Sequence, residues 1–278
     1  MISDLDACGP NIFPGRLKSV VIGLDVSIAF AGAAEPALYA IRQAKLMYSS
    51  TKDLRRLILY LRQTSVDIAA RDSHCEFIIS SHADGATMFK IWDGLVATGE
   101  NTYWIGNCDV AMDSLNFKAS ISLPEKTKLP DYITPEECRF CNAVTGLTLK
   151  RGTQIAGDVG GLIVVQIGSL YGHGYLNHAA TIAWDTIRVP PGLSEQQIED
   201  RNSGMTQYAY TTIRSLERGA AVLGVYFDQP KIGFIYSPIT HDEAYKIAPA
   251  TLEQMSEEVT RLAREIGGLV CDVDLHVS

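Results

Sequence analysis

Few residues in this chain have both the type and the spacing to do chemistry. Cys138-x-x-Cys141 has the spacing of half a structural zinc site. A closed tetrahedral site needs a second pair, and Cys75 and Cys108 each stand alone, so the two read as core thiols on a helix. Cys8, before Gly9-Pro10, is the one loop thiol, with no adjacent base to activate it. His173 and His178 flank the apolar residues around Tyr175. Two imidazoles are too few to close a metal site, and they read as part of a solvent-exposed turn. Gly157-x-x-Gly160-Gly161 lacks the order and the following helix of a dinucleotide fingerprint. His241-Asp242-Glu243 is a solvated turn cluster. No cofactor and no metal is expected. Lys18, Gly32 and Asp4, taken by type alone, are a charge at a strand edge, a turn glycine suited to positive φ, and a terminal acid.

The elements that position these residues can be read from periodicity and turn chemistry. Residues 1–17 are turn-rich. A short strand at 20–22, a turn at 23–25 and a second strand at 26–31 end at Gly32. Pro36 then sits in the first turn of a helix whose Ala37, Leu38, Ile41, Ala44 and Tyr48 share one face. Ser50-Thr51 is expected to cap a second helix carrying Leu54, Leu57, Ile58 and Leu61 on one side. Strands are expected at 76–81 and 87–92 around the hairpin turn Asp84-Gly85, and at 103–105. Helices follow at 110–117 and from Thr134-Pro-Glu-Glu137, where Thr134 caps. Strands at 162–167 and 175–184 come next. Beyond Pro190-Pro191-Gly192, the spacing predicts helix over 194–210 and 211–218. A hairpin at 220–227 and 232–236, a capped amphipathic helix over 251–266, and a final strand or tail at 269–277 complete the chain.

Bulk properties narrow the class. With 278 residues, 46% hydrophobic and 20% charged, the chain can bury one large core or two smaller ones. A formal charge of −8 argues against a nucleic-acid partner, and the three Trp and twelve Tyr do not interleave with Lys or Arg. Six cysteines without framework spacing suit a reducing, cytoplasmic setting. No apolar run is long enough for a membrane helix, and the start lacks a signal peptide's basic and apolar regions, so no membrane partner is expected. Helix pairs between groups of antiparallel strands predict an α+β fold, with two sheets stacked between helical layers.

Element order, together with Lys18 to Gly32, Phe77-Ile-Ile-Ser80, Asp84-Gly85, Met88-Phe-Lys-Ile91, Tyr103-Trp-Ile-Gly106, Thr134-Pro-Glu-Glu137 and Gly160-Gly-Leu-Ile-Val-Val165, resembles the proteasome β-type and bacterial proteasome-related subunits. These are N-terminal-nucleophile hydrolases. The resemblance covers about residues 3 to 185. It implies a four-layer αββα sandwich, assembly with copies of itself, often in rings, and hydrolysis of a peptide or small amide substrate by an N-terminal threonine whose α-amine is the base. By the same resemblance Lys18 is the lysine that lowers the hydroxyl's proton affinity. Gly32, fourteen residues later, is the oxyanion glycine, and Asp4 is the aspartate that contacts the lysine.

The match departs from the family in three places, which leaves the expected catalytic set incomplete. The nucleophile-bearing strand is expected to precede Met1. The family's Asp-x-x-Ser-Gly-Gly becomes Ala156-Gly-Asp-Val159-Gly-Gly161, and Asp6 stands where the family has an arginine. The hairpin from Gly219 to Tyr236 resembles the family's first hairpin, with Ala220 at the nucleophile's position, so it could fill the vacated place in the sheet. The expected organisation is a proteasome-like domain over 1–189 and an extension over 190–278 packed on the same core. The reading is a threonine-type peptidase by resemblance; the alternative is a non-catalytic ring-forming or peptide-binding scaffold.

Overall fold

The structure is a computed structural model that describes residues 2–3, 7–8, 11–12, 16–100, 102–106, 108–121, 123, 134–136, 138–139, 142–143, 164–169, 172–175, 179–184, 194, 206–214, 221–237 and 244–274. Within them the chain is α+β, with antiparallel sheets and helices, as its sequence implies. Four short strands open it: β1 (Ile2–Ser3), β2 (Ala7–Cys8), β3 (Asn11–Ile12) and β4 (Arg16–Leu17), paired as β1 with β4 and β2 with β3.

The first sheet is a five-stranded meander of β5 (Ser19–Val21), β6 (Val26–Gly32), β7 (Cys75–Ser81), β8 (Thr87–Trp92) and β9 (Leu95–Thr98). Its alternation is that of a sheet buried on one face. Val26, Ile28, Phe30, Phe77, Ile79 and Ile91 point one way and are buried with Ala37, Leu38, Ile41, Tyr48, Leu57 and Leu61. Those last six come from α1 (Ala34–Thr51) and α2 (Leu54–Ala69), which run between β6 and β7. The cap of α2 is Asp53, whose carboxylate accepts from the Arg56 N–H at 2.9 Å, rather than Ser50-Thr51. Those two residues belong to the end of α1, where their hydroxyls donate back to the Met47 carbonyl.

The sequence reading missed β9. It follows a second Asp-Gly turn, Asp93-Gly94, in which both residues have positive φ, the geometry that two-residue hairpins favour. Residues 103–105, expected as a strand, lie in an irregular segment held by the Gly106 N–H, which donates to Glu76 Oε2 at 2.6 Å. The expected helix at 110–117 is α3 (Cys108–Ser120), and residues 135–136, 138–139 and 142–143 are helical where Thr134 was read as a cap.

The second sheet is also five-stranded. It runs β12 (Ala179–Trp184), β13 (Thr206–Arg214), β14 (Leu223–Phe227), β15 (Ile232–Tyr236) and β16 (Tyr245–Ile247), and so draws strands from both sides of residue 190. A separate hairpin, β10 (Gln166–Ser169) and β11 (Gly172–Tyr175), precedes it. The helix expected through 206–214 is corrected to β13. Thr206, Tyr208, Tyr210, Thr211, Thr212 and Ile213 suit a pleated surface, and β13 pairs with β12 on one side and β14 on the other. The last expected strand, 269–277, is corrected over its described residues: α4 (Leu252–Asp274) continues through 269–274.

Three apolar clusters tie these parts together. One lies between α1, α2 and the first sheet. A second joins Leu17 and Val21 to Tyr175, Tyr210, Leu223, Val225, Phe227 and Phe234. The third joins Val222, Tyr226 and Ile235 to Met255, Val259, Ala263 and Ile266 of α4. No helix among the described residues is long and apolar enough to cross a membrane.

Candidate functional site

Lys18 and Gly32 are held on neighbouring strands. The Lys18 carbonyl accepts from the Phe30 N–H at 2.9 Å, just ahead of the β5–β6 ladder in which Ser19 faces Ala29. This places the Lys18 backbone beside Phe30 of β6. Gly32 ends β6 with φ at +98°, and a Cβ there would run into the carbonyl oxygen of His74. That carbonyl also accepts from the Ala33 N–H at 2.9 Å. The glycine is therefore demanded by the backbone turn into α1, whatever else its N–H does. Asp4 lies outside the described residues, as do Asp6, Asp158, Val159 and Gly160. The ladder before it pairs Ile2 with Leu17 and Ser3 with Arg16.

Beside this edge the β14–β15 hairpin packs on Leu17 and Val21. Leu17, Val21, Tyr175, Ala221, Tyr236 and Ser237 surround a cavity of about 10 Å³, roughly room for one water. Burial pushes the Tyr175 and Tyr236 phenols well above their usual range. The Tyr175 hydroxyl donates to the Ser19 carbonyl at 2.9 Å, and the Ser19 hydroxyl donates to Gln166 Oε1. The β10–β11 hairpin is thus bonded to the residue after Lys18.

The structure also assembles a polar cluster that the sequence did not reveal. His173, expected in an exposed turn, is buried within β11 at 4% exposure. Its Nδ1 lies 2.9 Å from the hydroxyl of buried Ser27, and its Nε2 lies 2.9 Å from His82 Nδ1. Gly168 makes the space: a Cβ there would come within 2.7 Å of the His173 ring. Burial, and secondarily His82, lower the His173 pKa to about 4, partly opposed by Asp25. Asp25 in turn accepts from the Tyr48 hydroxyl at 2.8 Å. The signal available in the sequence was the Gly172-His173-Gly174-Tyr175 alternation, a strand whose small residues leave room around a ring. His178 lies outside the described residues.

A third cluster lies farther along the first sheet. The Lys90 ammonium is 3.4 Å from Glu76 Oε1 and 5.2 Å and 6.0 Å from the ring centres of Trp92 and Trp104. The cation is already partnered on three sides by groups of its own chain. Of the thiols, Cys75 is buried and pushed up to about 12, by burial first and then Glu76, so it is an inert core group. Cys138 is half-buried and free, and Cys141 lies outside the described residues. No group of three metal-ligating side chains occurs among the described residues.

No protein-family model matches the chain, and no curated protein matches it in sequence. Among solved structures it is similar to the crystal structure of eukaryotic HslV from Trypanosoma brucei, with 17% identity and a TM-score of 0.34. The match covers 48% of this chain and 75% of that one.

Proposed function

We propose that this chain is a proteasome-like member of the N-terminal-nucleophile hydrolases with the four-layer αββα architecture, a threonine-type amide hydrolase by descent with an incomplete catalytic set. The observation that supports it most is the arrangement of the three apolar clusters. One lies between helices and the first sheet, one beside Leu17 and Val21 against the second sheet, and one between the second sheet and α4. Residues 190–278 then pack on the same core, supplying β13–β16 of the second sheet and α4. Lys18 is the cation and Gly32 the oxyanion N–H of the ancestral cleft, with Asp4 as the lysine's partner. The hairpin that begins beside Ala221 packs on Leu17 and Val21, which supports its reading as a substitute for the family's first hairpin, and by resemblance Ala220 stands in sequence at the nucleophile's position. A peptide or small amide bound at this edge is therefore held without being cleaved.

The expected outcome with intact protein is no turnover across a panel of fluorogenic peptides. Turnover that disappears in Lys18→Ala would overturn the incomplete set and restore the peptidase.

A second reading, a ring-forming or scaffold subunit, is favoured by the outer face of the α1–α2 layer, where Tyr39, Leu46 and Leu59 are 61%, 67% and 52% exposed. Light scattering should then report several multiples of 30.4 kDa. A monomer mass removes that reading.

A further inference from the structure

We propose that the β10–β11 hairpin is fastened to the first sheet by an acid-released latch, the Ser27–His173–His82 chain, so that falling pH frees the hairpin and uncovers the neighbouring face of β5 and β6. The inference does not rest on the hydrolase reading.

Among the described residues, the hairpin's polar attachments to the first sheet and its turns include four. The His173 N–H donates to the Leu24 carbonyl at 2.8 Å, and the Tyr175 hydroxyl donates to the Ser19 carbonyl. Gln166 accepts from Ser19, and the His173 ring bridges Ser27 and His82. Only the last attachment titrates below neutral pH. With both rings neutral, His173 donates from one nitrogen and accepts at the other, which matches one hydroxyl and one imidazole as partners. A proton on His173 would leave a charged ring at 4% exposure, and its Nε2–H would face a second donor across 2.9 Å wherever His82 Nδ1 also carried hydrogen.

Among the described residues, the charged and titratable groups around the pair are few. From the β5–β6 turn comes Asp25, already accepting from Tyr48 of α1; from the segment after β7 come His82 and, acting on Tyr48, Asp84. From β10 comes only the Gly168 backbone, pressed against both rings. Asp25 favours the charged ring, but burial outweighs it. With His173 near 4 in the closed state and an ordinary 6.5 once exposed, closure is favoured fully above 6.5 and is lost progressively as pH falls towards 4. His82 and His173 have no third ligand of metal type among the described residues.

The test is amide hydrogen exchange of the full chain between pH 7.5 and 5.0, corrected for intrinsic exchange. Below about pH 6 the opening of the segment 166–175 should rise roughly tenfold per pH unit for a single linked proton, while 223–236 stays protected. His173→Gln keeps an amide to meet His82 and should flatten that slope. If that variant fails to fold, His82→Gln removes one opposing ring and should make the acid opening level off at a higher pH. Three results would overturn the latch: equal loss of protection in both segments, an undiminished slope in His173→Gln, or an unchanged profile in His82→Gln.

Discussion

The central strands of the two sheets are built differently. In β7, residues alternate strictly between buried and half-buried, whereas every residue of β14 and β15 is buried. The first sheet is sealed on one face by α1 and α2. Its other face carries the rows Ser19, Ala29, Ile78, Lys90 and Val21, Ser27, Ser80, Met88 across the ladder. The β14–β15 hairpin is enclosed on both faces, by Leu17, Val21 and Tyr175 on one side and α4 on the other. Hydroxyls, the histidine pair and the Lys90–Glu76 pair therefore gather on the first sheet, where the second face is only partly covered. The second sheet supplies apolar packing.

If that division holds, truncations to alanine should differ sharply between the two. Phe234 is 1% exposed and packs edge-on against Phe227 at 6.2 Å. Phe234→Ala should cost about 4 kcal/mol of unfolding free energy in urea. Met88, half-buried on the open row of β8, should lose only about 1 kcal/mol as Met88→Ala. Comparable losses at the two positions would show that the first sheet's second face is as enclosed as the hairpin.

Glycines sharpen the same contrast. In Gly32→Ala the new methyl meets backbone, the His74 carbonyl, at positive φ, and the expected cost is about 2–3 kcal/mol. In Gly233→Ala it meets the side chain of Met255, a flexible thioether that can swing aside, so about 1–2 kcal/mol is expected. Thermal denaturation separates the two. A Gly32→Ala protein that melts like the wild type would mean that the turn does not require the glycine, leaving the oxyanion role as its reason.

The first sheet was largely legible from sequence because Val26, Ile28, Phe30 and Phe77, Ile79 alternate cleanly and Asp84-Gly85 marks a turn. The second was not. The stretch around 206–214 reads as helical in sequence, since the partners that make it a strand come from 179–184 and 223–227 and leave no local trace. Lys18 and Gly32 could be singled out only through a family resemblance, and Gly32's φ now gives it a structural reason as well. The histidine pair was illegible for a plainer cause: His82 and His173 are 91 residues apart, and neither carries a motif. Length of separation hides a contact more thoroughly than weak periodicity hides a strand.

The smallest expected effects lie in the helices that cover the two sheets, and they test whether each layer is held in the same way. Asp53 caps α2 with a single bond to the Arg56 N–H. Thr251 and Gln254 cap α4 reciprocally: the Gln254 N–H donates to the Thr251 hydroxyl at 3.2 Å, and the Thr251 N–H donates to Gln254 Oε1 at 3.0 Å. Both caps satisfy otherwise orphaned N–H groups at exposed helix ends, so Asp53→Ala and Thr251→Ala should each cost about 1 kcal/mol. The contrast lies in how they fail. The Asp53 carboxylate also meets the helix dipole, so its contribution should fall as salt screens that charge, whereas that of Thr251 should be flat with ionic strength. Paired denaturant series at low and high salt would read this directly. A Thr251→Ala penalty that shrinks with salt like that of Asp53→Ala would mean that the two helical layers loosen together and not each by its own cap.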